Sequence, residues 1–198
     1  MNFFKIVTLC VSIILSSSCT SMSRSREQNM MMAALCNHGR QTIEQLKLPS
    51  CRLSLQLLND DCCIYISYNN DYLEKLPGAR VLGTHLVKDF YSSLRKNPGV
   101  KEAYENYSKK IPSFPNELTI DHIACDIKFI TRRYEEPKSP YIALVRFKNN
   151  TFYYLEKRDD DPAYHVVFQE SYDEALAYQD SLKLEIYRKQ NNLIGSAK

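Results

Sequence analysis

Tryptophan is absent from this 198-residue chain, glycine occurs five times and histidine four times. So few glycines leave little room for phosphate-cradling loops, and no GxxxxGK[ST], GxSxG or HExxH pattern occurs. Charge of one sign is lacking too. The net charge is only +3 with both signs well mixed, unlike the basic stripe of a nucleic-acid binder. After residue 29 no run approaches the roughly 18 apolar residues of a spanning helix, so the later chain is expected in water. Internal repeats and low-complexity segments are missing as well. An enzyme is therefore the lesser expectation, and no cofactor and no metal are implied.

What the chain does have is concentrated at its start. Lys5 supplies a short basic region, and Ile6 to Leu15 form an apolar segment of ten residues. As a helix this segment is about 15 Å long, roughly half a bilayer core, which predicts a removable export signal over residues 1–18. Ser16-Ser17-Ser18 forms a small-residue cleavage region, with Cys19 next. Leu15-Ser16-Ser17-Ser18-Cys19 resembles the aliphatic/small/small/Cys box of bacterial lipoprotein signals, its aliphatic residue standing four rather than three places before the cysteine. The resemblance implies that Cys19 becomes a lipidated mature N-terminus with a thioether-linked diacylglyceryl group and an amide-linked acyl chain such as palmitate. That exceeds the two hydrophobic signals stable anchoring needs. The alternative is cleavage after Ser18 and a soluble exported protein. Thr20 in place of an Asp after the cysteine is similar to outer-membrane sorting signals. Residues 19–28 are polar and read as a flexible tether, and 29–198 as one domain.

The cysteines follow from the address. Cys10 leaves with the signal; if Cys19 carries lipid, five of the seven remain and one lacks an intramolecular partner. Export permits disulfides. Cys62 and Cys63 are adjacent, and neighbours on a trans backbone rarely bond each other. Each is expected to reach back to a different partner, such as Cys36 or Cys51, stapling residues 36–63. A zinc site over Cys36, His38, Cys51, Cys62 and Cys63 is the rival reading, without knuckle spacing to support it.

The periodicity predicts an α+β fold: N-terminal helices, then a small antiparallel β-meander closed by a C-terminal helix. Helices are predicted over 29–47, 79–96 and 100–110, the last two as an αα-hairpin broken at Asn97-Pro98-Gly99. Residues 53–58 fit a short helix or strand, and 63–68 a short strand. Residues 118–134 read as a helix, because Ile120, Ile123, Ala124, Ile127 and Ile130 fit its spacing, which would make 29–134 the mainly helical part. The part spanning 140–190 holds the meander: strands at 141–147 and 151–156 around a turn at Lys148-Asn149-Asn150, and a third at 165–168. Ser171-x-x-Glu174 is a capping box that opens the last helix.

Candidate sites are few. In a helix, His122 and Asp126 would sit one turn apart with Asp121 beside them, an arrangement that could hold a metal or do acid/base work. Ile120-Asp121-His122-Ile123 superficially resembles the Asp-His pair of HNH-type nucleases, yet the downstream Asn and His that carry that chemistry are missing. Asp159-Asp160-Asp161 lacks the spaced ligands of a calcium loop. His85 reads as a flank of the 79–96 core stripe, and Glu135-Glu136 has no partner carboxylate for glycosidase work. Tyr141, Tyr153, Tyr154 and Tyr164 on the meander are the better clue, since tyrosine on a wet sheet face makes a contact surface. The expectation is a lipid-anchored envelope protein that binds a protein partner without catalysis. An envelope hydrolase using Asp121, His122 and Asp126, and a periplasmic immunity-type inhibitor of a toxin, are the alternatives.

Overall fold

Helix α1 (Arg26–Leu46) opens on a capping box in which the Ser25 hydroxyl accepts from the Gln28 amide and the Gln28 side chain accepts from the Ser25 amide. The computed structural model describes residues 25–58, 61–111, 114–131 and 135–195, with the side chains of 56–58, 61–63 and 184–195 left out. The signal, Cys19 and the first part of the tether lie outside the described residues. The rest of the tether does not: residues 25–28 belong to the cap and first turn of α1, because their polar side chains satisfy helix-end amides. Glu27 is buried, and its bond from Lys110 holds its carboxyl down to about 2.

Strands β1 (Ser50–Leu58) and β2 (Asp61–Asn70) pair antiparallel, which settles residues 53–58 as strand. Helices α2 (Leu76–Lys96) and α3 (Pro98–Lys110) follow with the expected break between them, where the Asn97 side chain accepts from the Gly99 and Val100 amides. One turn of 3-10 helix (Ile120–His122) leads into β3 (Ile123–Phe129), which lies parallel to β2. The expected helix at 118–134 is therefore corrected. Ile123, Cys125, Ile127 and Phe129 also alternate, and a pleat buries all four against the helices. Strands β4 (Leu144–Lys148), β5 (Thr151–Lys157) and β6 (Tyr164–Ser171) form the meander, and α4 (Tyr172–Gly195) closes the fold behind the Ser171–Glu174 capping box.

The α+β class holds, with a sheet larger than the meander alone: one six-stranded sheet in the order β1-β2-β3-β4-β5-β6, three of its strands within residues 29–134. Helices α1, α2 and α4 pack on one face, and α3 lies against α1 and α2. That face carries Ile66, Tyr68, Ile127, Val145, Phe147, Phe152 and Tyr154, buried against helical residues such as Leu35, Leu86 and Phe90. Each large apolar side chain so buried contributes about 1.5–3 kcal/mol. Gly83 lets α2 approach closely; a Cβ there would stand 3.2 Å from Val145 Cγ1.

The register corrects the Cys51 half of the expected staple. Cys63 and Cys62 pair across from Gln56 and Leu57, five and six residues along β1 from Cys51. At about 3.3 Å per residue that is roughly 17–20 Å, far beyond the 7 Å Cα separation a disulfide tolerates.

Candidate functional site

The strand alternation that sends one set of residues into the core sends the other to the opposite face, where no helix packs among the described residues. Cross-strand partners line up there. One row runs Arg52, Ser67, Asp126, Arg146, Tyr153 and Gln169, and a neighbouring row contains Ser54, Tyr65 and Ala124. Ser54, Tyr65, Ala124, Asp126, Arg146 and Lys148 line an open hollow of about 520 Å³ on this face.

At its floor Asp126 is buried, with a side chain only 9% exposed, whereas Arg146 is half exposed. Arg146 Nε donates to Asp126 Oδ1 and Nη2 to Oδ2, each at 3.0 Å, and the Tyr65 hydroxyl donates to Oδ2 at 3.2 Å. The bond to Asp126 raises the Arg146 pKa, against the pull of burial. Burial pushes the Tyr65 hydroxyl up; Ser67 opposes this and Asp126 adds to it. This carboxylate is committed to a guanidinium in bidentate geometry, which suits a fixed scaffold and not a proton-transfer group.

Toward β6 the face becomes more apolar. Tyr164 and Val166 are 37% and 53% exposed. The Tyr164 hydroxyl donates to Glu136, Lys157 pairs with the same carboxylate, and the Lys157 ammonium lies 5.2 Å from the Tyr164 ring centroid. Burial works against the Glu136 charge, but Lys157 and Tyr164 hold its carboxyl below its ordinary value. Pro137 and Leu144 are buried beside them, so the 135–138 segment closes this end. Arg146 and Lys148 line the hollow, and Arg52 and Lys128 are exposed elsewhere on the same face.

The four nominated tyrosines part company. Tyr153 and Tyr164 lie on the open face, and Tyr141 is half-buried in the loop before β4. Tyr154 is wholly buried on the helical side, because it follows Tyr153 on a strand and must point the other way. Its hydroxyl donates to Glu170 at 2.7 Å beneath the Arg80–Glu170 ion pair, and the Arg80 guanidinium lies 3.5 Å from the Tyr178 ring centroid. Tyr154 is thus a core residue and is withdrawn from the contact surface.

The expected Asp121–His122–Asp126 cluster does not form. In extended chain His122 and Asp126 are about 13 Å apart. His122 Nδ1 accepts from the Thr119 amide at 3.1 Å and packs near the Tyr104 ring, while Asp121 is exposed. His38 Nε2 lies 3.1 Å from both the Tyr68 and Thr42 hydroxyls. Among the described residues no three His, Cys, Asp or Glu side chains come together as a metal site. The Asp159 and Asp161 carboxylates turn to different partners, Lys138 and the Ala163 amide. Cys36, Cys51 and Cys125 are free thiols.

Arg146 and Tyr65 were missed by sequence reasoning. The signal for Arg146 was present: a cation between Val145 and Phe147 in an alternating strand stands on the face opposite both. No protein-family model, curated protein or solved structure matches the chain. No described helix is long and apolar enough to cross a membrane.

Proposed function

We propose that this is an exported protein, held to a bacterial membrane by lipid on Cys19, that binds a protein partner through the open face of its sheet without catalysing a reaction. One observation carries the binding role: a six-stranded sheet with an outer face that no described helix covers, which sets Tyr65, Tyr153 and Tyr164 among exposed cations. Tyrosine and arginine are enriched where proteins meet: tyrosine buries a large area at low conformational cost, and arginine presents a planar set of donors. The excess of cations favours a partner whose own surface is acidic, through electrostatic steering and exclusion of basic partners. The Asp126–Arg146–Tyr65 cluster fixes the middle of this surface before binding, which lowers the ordering cost of association. The apolar segment and Cys19 support the address.

Two measurements test the two halves. The intact mass of the chain expressed with its own signal should show a mature N-terminus at Cys19 with diacylglyceryl and acyl mass, lost in Cys19→Ala. An unmodified mature chain would remove the anchor. For the surface, Lys128→Glu/Lys148→Glu changes only exposed side chains and should leave thermal melting unchanged while losing proteins that co-purify from detergent-solubilised envelopes. Unchanged co-purification would remove the open face as the binding surface.

A further inference from the structure

Gly39 lies on the face of α1 that meets β1, and a Cβ added there would stand 2.9 Å from Cys51 Sγ and 3.5 Å from Leu53 Cδ1. The sulfur of Cys51 therefore occupies the space a side chain at position 39 would take. Cys36 is three residues before Gly39 on the same helix, and side chains at that spacing are surface neighbours about 5–6 Å apart at their Cβ atoms. Cys36 thus emerges beside the spot that Cys51 fills from the strand. Burial pushes the Cys51 thiol up, and Cys36 is the charge that adds to it. Cys36 is exposed and Cys51 half-buried, so a reagent in solution reaches the first and the second lies behind it. The other described thiol, Cys125, is 1% exposed in the core. Cys62 and Cys63 sit at the far end of the hairpin, out of reach of Cys51.

We infer that Cys36 and Cys51 are an intramolecular disulfide pair, closed by thiol–disulfide exchange to clamp α1 onto β1. The oxidant is a disulfide donor such as oxidised glutathione or a disulfide oxidoreductase. The Cys36 thiolate attacks one sulfur of the donor disulfide, forming a mixed disulfide and releasing one donor thiolate. The Cys51 thiolate then attacks the Cys36 sulfur and displaces the second donor thiolate. In sum the two protein thiols lose two electrons and two protons, and the donor disulfide leaves as two thiols. Gly39 is the positioning residue, since a Cβ there would stand 2.9 Å from the Cys51 sulfur and displace it from its present place.

Purified full-length protein, reduced and then treated with oxidised glutathione, tests this by tryptic mass spectrometry. Cleavage separates Cys36 (peptide 27–40), Cys51 (peptide 48–52) and the Cys62/Cys63 pair (peptide 53–75). The expected product is 27–40 joined to 48–52. It should be absent from Cys36→Ser and Cys51→Ser, and formed several-fold more slowly in Gly39→Ala. The closed loop should raise the melting midpoint by roughly 5–10 °C over the reduced protein. Stable glutathionylation of Cys36 with Cys51 left free, or linkage of either peptide to 53–75, would overturn the assignment. So would equal rates in Gly39→Ala and the parent chain.

Discussion

Arg146 grips Asp126 across β3 and β4 with two parallel hydrogen bonds of 3.0 Å, on the one sheet face that no described helix covers. This pair fixes the middle of the proposed binding surface. Arg146→Met would leave Asp126 buried with only the Tyr65 hydroxyl to answer it. Arg146 is half exposed, so water screens part of the loss. Urea unfolding should show a loss of about 1–3 kcal/mol, with Asp126→Asn milder because its carbonyl still accepts from Tyr65. A neutral Arg146→Met would contradict this.

The Arg80–Glu170 pair on the helical side should behave more severely. Glu170 is buried, its side chain 3% exposed, with Tyr154 donating to it from below. Arg80→Met strands that carboxylate and should cost about 3–5 kcal/mol. The double variant Arg80→Met/Glu170→Leu should recover a large part. A double-mutant cycle reads this directly, and simple additivity would refute it.

The β4–β5 turn offers a backbone test. Asn149 and Asn150 have φ of 51° and 57°, the left-handed pair of a tight hairpin turn. Asn150→Val should lower stability by about 1–2 kcal/mol, while Asn150→Gly should hold or raise it. Thermal melting of the two variants decides.

His38 makes stability depend on pH. Burial holds its pKa below the ordinary value of about 6.5, with Asp89 opposing. The folded state thus favours the neutral ring, bonded to Tyr68 and Thr42 and packed on Phe90. The unfolded chain takes up the proton first. The stabilisation is present above pH 6.5 and falls as pH drops from 6.5 toward the lower folded pKa. Urea midpoints at pH 7 and pH 5 should fall further for the parent chain than for His38→Gln. Equal falls would show that His38 does not contribute.

Much of the architecture was legible because its signals are local. The break between α2 and α3 announced itself through Asn97-Pro98-Gly99, the last helix through Ser171 and Glu174, and the meander through alternation around Asn149-Asn150. Residues 123–129 were harder, because Ala124 interrupts the alternation of IACDIKF while the flanking Ile120 and Ile130 complete a helical stripe. The parallel partner β2 decides between them, and that contact spans some 60 residues of sequence. The same error hid the site. Read as helix, Asp126 falls near His122; read as strand, it falls opposite Arg146 and diagonal to Tyr65. Tyr153 and Tyr154 show a simpler limit: adjacent strand residues face opposite ways, so only one of the two reaches water.

The most direct test of the binding surface is site-specific photocrosslinking in cells that make the chain with its own signal. A benzophenone side chain at position 153 reports the open face, and one at Lys101, exposed on α3, reports the helical side. The account predicts a discrete envelope-protein adduct from position 153, abolished by Lys128→Glu/Lys148→Glu, and none from position 101. The same adducts from both positions, or adducts from position 101 alone, would contradict it.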